Sequence, residues 1–262
     1  MLRKFLIRRI AEKSAPVLPR IPPGQRVFAI GDVHGRLDLL DDLLDQIARE
    51  NARRGPAQTV LIFLGDLIDR GPDSAAVIER LLTLSTPDWT MRFLLGNHEE
   101  VFLSVLAGNY EALKFFNRIG GDATIASYGI RKGDYAADDF YEVMDLLRDA
   151  VPDRHVAFLQ GFEDQIVIGD YAFVHAGIRP GIPLAAQKAE DLRWIRHEFL
   201  KSDSAHEKII VHGHTVTADV DEHANRIGLD TGAQSNGRLS AMGFEGDQRW
   251  VLQSGVPIRA VA

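Results

Sequence analysis

An α/β layered fold with mixed sheets is predicted by three features of the sequence. Short apolar runs end abruptly at Gly-Asp or Gly-Asn steps, helically spaced apolar residues follow these steps, and β-hairpin turn chemistry appears in the second half. In folds of this kind ligand-binding groups collect on loops at the carboxyl ends of strands. The composition agrees: of 262 residues 45% are hydrophobic and 26% charged, the balance of a soluble globular chain with room for one large domain.

The elements follow in order. Pro16, Pro19, Pro22 and Pro23 favour an extended lead-in, and Val27-Phe28-Ala29-Ile30 then reads as a buried strand stopping at Gly31-Asp32. Apolar residues at 37, 39, 40, 43, 44 and 47 predict a helix from Leu37 to Ile47. The unit recurs twice. Val60 to Leu64 runs into Gly65-Asp66 before a helix over Ser74 to Leu84, and Met91 to Leu95 runs into Gly96-Asn97-His98 before a helix over Glu99 to Leu106. Between Gly108 and Leu159 helical segments rich in Phe, Tyr, Leu and Asp predict a cap or insertion over about 108–159. Strands Gln165 to Ile168 and Tyr171 to Val174 flank a Gly169-Asp170 turn, the second delivering His175-Ala176-Gly177. Lys208 to Val211 enters His212-Gly213-His214-Thr215, and Arg226 to Leu229 enters Asp230-Thr231-Gly232. A last hairpin at Gly246-Asp247 makes the sheet content mixed rather than purely parallel.

Composition also excludes several chemistries. With no cysteine, disulfide frameworks, thiolate zinc sites and cysteine nucleophiles are ruled out. A formal net charge of −7 provides no global field for nucleic acid, so no nucleic-acid partner is expected and any phosphate must be held locally. No apolar run approaches the roughly 18 to 20 residues of a membrane-spanning helix, so no stable membrane association is expected and the compartment expected is the cytoplasm. Met1 to Lys13 is a short basic amphipathic stretch, read as a frayed helical extension.

Six polar groups sit at predicted strand ends: Asp32 and His34, Asp66, Asn97, His175 and His214. Asp and His at strand ends also cap helices or satisfy loops, but six such groups, each beside a tight glycine-containing turn, read as one convergent metal site. The donors are oxygen and nitrogen only. Two Asp, one Asn and three His suffice for two divalent ions if one carboxylate bridges them, and Asp66 is the economical bridge. Ions about 3.5 to 4 Å apart acidify a shared water and neutralise charge on an attacked phosphorus centre. Manganese, iron or zinc suits the mixed donor set, whereas calcium wants more oxygens. Asp38, Asp41 and Asp42 read instead as the solvated face of a helix, and His155, His197, His206 and His223 as surface or packing residues.

Gly31-Asp32-Val33-His34-Gly35, Gly65-Asp66-Leu67-Ile68-Asp69-Arg70-Gly71, Gly96-Asn97-His98-Glu99, His175-Ala176-Gly177 and Gly213-His214-Thr215 together resemble the ordered signature of the phosphoprotein phosphatase family, calcineurin-like metallophosphoesterases of a compact bacterial type. The motifs span residues 31 to 215. The resemblance implies a four-layer α/β/β/α sandwich with two mixed sheets and a helical insertion, in one catalytic domain over 25–262 behind an N-terminal extension over 1–24. It implies Asp32, His34 and bridging Asp66 on one metal ion, and Asp66, Asn97, His175 and His214 on the other. It makes His98 the general acid for the leaving alkoxide, paired with Asp69, and Arg70 a phosphate clamp, with Asn97 also near the phosphate. Arg196 is favoured as a second clamp over Arg193 and Arg179. Gly213-His214-Thr215-Val216 carries Val216 where many broader metallophosphoesterases have a metal-binding histidine, which points to the phosphoprotein phosphatase branch. His212 stays outside the ligand set.

The function expected is metal-dependent hydrolysis of phosphate monoesters by in-line attack of hydroxide, with phosphoserine or phosphothreonine in proteins, or a small phosphoester, as substrate. The rival is a nucleotide phosphoesterase resembling diadenosine tetraphosphate hydrolases. Those tend to lack the aspartate of the Asp-Arg-Gly step and carry Asp after Gly-Asn-His, where this chain has Asp69 and Glu99. A metal-stabilised scaffold that binds phosphoproteins without cleaving them should have lost a ligand or His98, and none is lost.

Overall fold

A computed structural model of the chain describes residues 18–86, 88–134 and 140–255. The basic stretch over Met1 to Lys13 lies outside the described residues. In chain order the strands are β1 (Gln25–Ile30), β2 (Gln58–Phe63), β3 (Trp89–Phe93), β4 (Gln165–Ile168), β5 (Tyr171–Val174), β6 (Ile209–His212), β7 (Asp221–Glu222), β8 (Arg226–Gly228), β9 (Leu239–Glu245) and β10 (Gln248–Ser254). The helices are α1 (Leu37–Arg53), α2 (Ser74–Thr83), α3 (Asn97–Leu106), α4 (Tyr110–Ile119), α5 (Gly121–Ser127), α6 (Phe140–Ala150), α7 (Asp153–Gln160), α8 (Ala189–Trp194), α9 (His197–Leu200) and α10 (Ala233–Asn236).

Two mixed sheets result, ordered β10-β9-β1-β2-β3 and β4-β5-β6-β8-β7. In the first, β1, β2 and β3 run parallel and the hairpin β9-β10 adds antiparallel to β1. In the second, β5, β6 and β8 run parallel between antiparallel edges β4 and β7. The sandwich follows from strand alternation. Along β1, Val27 and Ala29 enter a core shared with Phe173, Val211 and Ile227 of the second sheet, whereas Phe28 and Ile30 face the core beneath α1 to α7. Ala172, Val174 and Ile210 turn outward to Leu192, Ile195 and Phe199 around α8 and α9. Helices therefore cover both outer faces, in the α/β/β/α order that the resemblance implies. Strands covered on both faces are apolar along most of their length, which is why they read as near-continuous runs.

Several boundaries and short elements differ from the sequence reading. Helix α1 continues past Ile47 because Glu50 bonds Arg53 and Arg54, and because the buried Arg26 guanidinium donates to the carbonyls of Asn51, Arg54 and Gly55 at the helix end. Strand β3 stops at Phe93, since Leu94 leaves the ladder for a single bridge to Glu163. The two-residue edge strand β7 and the short helices α8 to α10 are too brief to show a period. Residues 110–160 carry α4 to α7, whose Leu113, Phe116, Ile125, Leu147 and Leu159 share the core of α1 to α3. No helix of the described residues is long and apolar enough to cross a membrane.

Candidate metal centre

The carboxyl ends of the parallel strands converge on one place. Asp32 and His34 follow β1, Asp66 follows β2, Asn97 and His98 follow β3, His175 follows β5, His214 follows β6 and Asp230 follows β8, all of them buried. Backbone strain concentrates here as well. Among the described residues the non-glycines at positive φ are His34, Asp66, Asp69, Arg70 and His214, at 46°, 50°, 71°, 68° and 65°. Left-handed backbone at a residue with a Cβ costs about 1–3 kcal/mol, so the surrounding bonds must impose it.

Glu99 imposes much of it. Its buried carboxylate accepts the N–H groups of Gly96 at 3.1 Å, Asp66 at 2.8 Å, Leu67 at 2.7 Å and Ile68 at 3.3 Å, tying the turn after β2 to the first turn of α3. Gly96 must be glycine because a Cβ there would enter the carboxylates of Asp66 and Glu99. Glu99→Gln places an amide N–H₂ against these donors, and we expect it to lower stability by about 2–3 kcal/mol. A thermal melt of the variant within 1 °C of the parent, roughly what a change of a few tenths of a kcal/mol would give, contradicts that account.

Imidazole tautomers follow from carbonyl partners. Nδ1 of His34 donates to the Ile68 carbonyl at 2.8 Å, and Nδ1 of His175 to the Leu64 carbonyl at 2.8 Å, which leaves each Nε2 as a lone pair. His175 Nε2 faces Asn97 Oδ1 at 3.0 Å, His214 Nδ1 at 3.2 Å and Asp66 Oδ1 at 3.4 Å. Asp66 Oδ2 lies 3.8 Å from both His34 Nε2 and His98 Nε2. Two groups thus place their ligand atoms within 4.8 Å of one another, His34, Asp66 and His98 in one and Asp66, His175 and His214 in the other, with Asp66 common to both. Asp32 stands outside these groups and accepts the His214 N–H at 2.9 and 3.1 Å.

The donor set fits divalent cations. Lone pairs of His175, Asn97 and Asp66 converge, and the buried His214 Nε2 and Asp230 Oδ2 have no hydrogen-bond partner among the described residues. Burial drives the imidazole pKa of His34 down to about 3 and that of His214 down to about 2. Burial, followed by the charges of Asp230 and Asp66, holds Asp32 well above the usual carboxylate range. His98 differs: burial works against its charge, but Asp66 and the bonded Asp69 outweigh burial and raise its pKa. Environments that push titratable groups in opposite directions separate neutral, ligand-like imidazoles from a proton carrier.

His98 Nδ1 donates to Asp69 Oδ2 at 2.6 Å, and both residues are buried. Arg70 reaches over them, its Nη1 2.8 Å from His34 Nε2 and its Nη2 3.0 Å from His98 Nε2. Its backbone N–H bonds Gly120 O at 2.9 Å, and a Cβ on Gly120, at φ 106°, would lie 2.7 Å from Arg70 Cγ. Arg179 bonds Asp191, and Arg193 bonds Asp164 and Glu100. Arg196 is exposed with no side-chain hydrogen bond or ion pair among the described residues, and its charge depresses the pKa of His175 and His214.

Some functional positions escaped the sequence reading. Asp230, which the sequence reading placed after a strand but outside the ligand set, is a buried carboxylate beside Asp32 and Asp66, and burial raises its pKa to about 6. Its position after the β8 run was the available signal. Thr124 carried none, because its partners Ser74 and Asp69 are 50 and 55 residues away, and Glu99, legible as the last residue of the Gly96-Asn97-His98-Glu99 motif, gave no sign of its bonds to Asp66, Leu67 and Ile68, 31 to 33 residues away. His212 is buried with Nδ1 near the Gly213 carbonyl. His155 is buried against Tyr128 and Glu79, and His197 and His223 are exposed.

Comparison with known proteins places this geometry. Residues 25–235 match the sequence profile of the family described as calcineurin-like phosphoesterases. Serine/threonine-protein phosphatase 2 of Escherichia coli (strain K12) is 29% identical over 225 residues, 82% of this chain and 91% of that protein. The symmetrical bis(5'-nucleosyl)-tetraphosphatase of Acidovorax sp. (strain JS42) is 32% identical over 154 residues, 59% of this chain and 44% of that enzyme's length. A crystal structure provisionally described as a diadenosine tetraphosphatase superposes with a TM-score of 0.61 at 21% identity, over 91% of this chain and 99% of that one, which is a likeness of fold. The family depends on a pair of metal ions, and two histidine-aspartate groups suited to them stand here at the strand ends. The chain belongs to the calcineurin-like phosphoesterase family and is a metallophosphoesterase that hydrolyses phosphate esters.

Proposed function

We propose that the substrates are phosphoserine and phosphothreonine monoesters in proteins. In this reading Asp32, His34 and Asp66 hold one ion and Asp66, Asn97, His175 and His214 the other, with manganese as the metal and the cytoplasm as the compartment. The ions, when bound, supply Lewis-acid activation of water and neutralise charge on the phosphoryl group. The chain's own residues do the rest. The Arg70 guanidinium presents two N–H groups to phosphoryl oxygens, Asn97 and Arg196 flank them, and His98 gives its Nε2 proton to the leaving alkoxide. Asp69 keeps that imidazole charged and aimed.

The observation that carries the reading is the buried Asp69–His98 pair, with its 2.6 Å bond. A serine or threonine alkoxide is a poor leaving group and needs a proton, whereas a nucleotide pyrophosphate leaves more readily as a phosphate anion. The second reading, hydrolysis of dinucleoside tetraphosphates, is favoured by the 32% identity to the Acidovorax enzyme. Manganese-loaded protein should therefore be given a phosphothreonine peptide and diadenosine tetraphosphate side by side. A kcat/KM at least about tenfold higher on the peptide, roughly 1.4 kcal/mol of discrimination, is expected. The reverse preference selects the second reading.

A further inference from the structure

The helical segment that follows α3 reaches into the centre through one side chain. We propose that Thr124, on α5, is a positioning residue of the reaction, locking the Asp69 carboxylate and through it the ring of His98. The proposal rests on His98 acting as the general acid.

Thr124 is fully buried, and its Oγ1 donates to Asp69 Oδ1 at 2.6 Å. That oxygen is the one His98 does not use, since His98 Nδ1 donates to Oδ2. A hydroxyl has one proton, so with it committed to Asp69 the same Oγ1 accepts the Asp69 N–H at 2.9 Å and the Ser74 hydroxyl at 2.9 Å. Ser74 Oγ also faces the Asp69 N–H, at 3.0 Å. Both carboxylate oxygens and the amide of Asp69 are thereby tied, and the carboxylate cannot turn about its own axis without breaking a buried bond. The restraint matters because Asp69 sits at φ 71°, a backbone state it would not hold unaided.

Helix α5 is itself gripped. Ser127, one turn beyond Thr124, accepts the Ala75 N–H at 3.0 Å and donates to the Thr124 carbonyl at 2.7 Å. Thr124 and Ser127 therefore clamp the first turn of α2 from one face of α5. At the other end the Ile119 and Gly120 carbonyls accept from Arg70 Nε and N. Residues 119–127 hold Asp69 on one side and Arg70 on the other.

Valine has nearly the volume of threonine and lacks the hydroxyl, so Thr124→Val removes the bond with little change in side-chain volume and leaves Asp69 Oδ1 without that partner. Manganese-loaded Thr124→Val, Thr124→Ser and His98→Asn should be compared with the parent on a phosphoserine peptide and on para-nitrophenyl phosphate, whose leaving group is stable without a proton. Thr124→Val is expected to lower kcat about 10- to 100-fold on the peptide and under about threefold on the aryl ester, with Thr124→Ser restoring most of the loss. In the metal-stripped proteins, the proton NMR signal of the short His98–Asp69 bond, assigned by its loss in His98→Asn, should vanish in Thr124→Val and persist in Thr124→Ser. Equal slowing of both substrates by Thr124→Val, or an unchanged proton signal, overturns the proposal while leaving His98 as acid if His98→Asn is selective. A His98→Asn variant equally slow on both substrates overturns both. Thr124→Ala serves the same comparison if the valine variant does not fold.

Discussion

Asp66→Asn is expected to lower metal-dependent kcat/KM by about 1000-fold or more, roughly 4 kcal/mol of transition-state stabilisation. Asp66 alone belongs to both histidine groups, with Oδ2 toward His34 and His98 and Oδ1 toward His175. An asparagine has one acceptor oxygen, and its N–H₂ would face an imidazole lone pair where the carboxylate presents charge. The turn itself should survive, because Glu99 and not the Asp66 side chain holds the backbone N–H groups from Asp66 to Ile68. Metal uptake should fall together with turnover while the far-ultraviolet spectrum stays unchanged. A folded variant that keeps a tenth of parental activity would show that the two groups do not share this carboxylate.

His98→Asn carries the second large effect, a loss of about 10²- to 10⁴-fold on alkyl phosphate monoesters. The asparagine amide can still reach Asp69, so the pair is replaced without leaving a bare buried carboxylate. What is lost is a group able to carry a proton at Nε2, and against the effect of burial the charges of Asp66 and Asp69 raise its pKa. Steady-state rates across esters of graded leaving-group basicity should show the deficit growing as the leaving group becomes more basic. A deficit independent of the leaving group assigns His98 to binding and removes it from proton transfer.

The strand ends were legible because a strand buried on both faces is apolar along most of its length, so the polar group after it stands out. Asp32 after Ile30, Asp66 after Leu64 and His175 after Val174 are such cases, and the tight turns beside them carry the positive-φ residues. Helices α1 and α2 showed their apolar faces, and the hairpins β4-β5 and β9-β10 their glycine-aspartate turns. Groups that act across the fold were not legible. Thr124 stands among ordinary helix residues 55 positions from Asp69, and the Asp32 carboxylate meets the His214 amide across 182 positions. Glu99 could be read as the end of a motif, yet its four N–H partners emerge only when α3 packs behind the turn after β2. Arg26 lies outside the apolar run Val27 to Ile30, and its burial follows from the free carbonyls at the end of α1.

If the strand ends of the two sheets assemble one centre for two ions, the stoichiometry of metal binding must show it. Metal-stripped protein should be titrated with manganese by calorimetry while hydrolysis of para-nitrophenyl phosphate is followed in parallel. Two ions bound per chain, with turnover rising only as the second is taken up, is the predicted result. Full turnover in the metal-stripped protein, or saturation at a single ion with full activity, would contradict it.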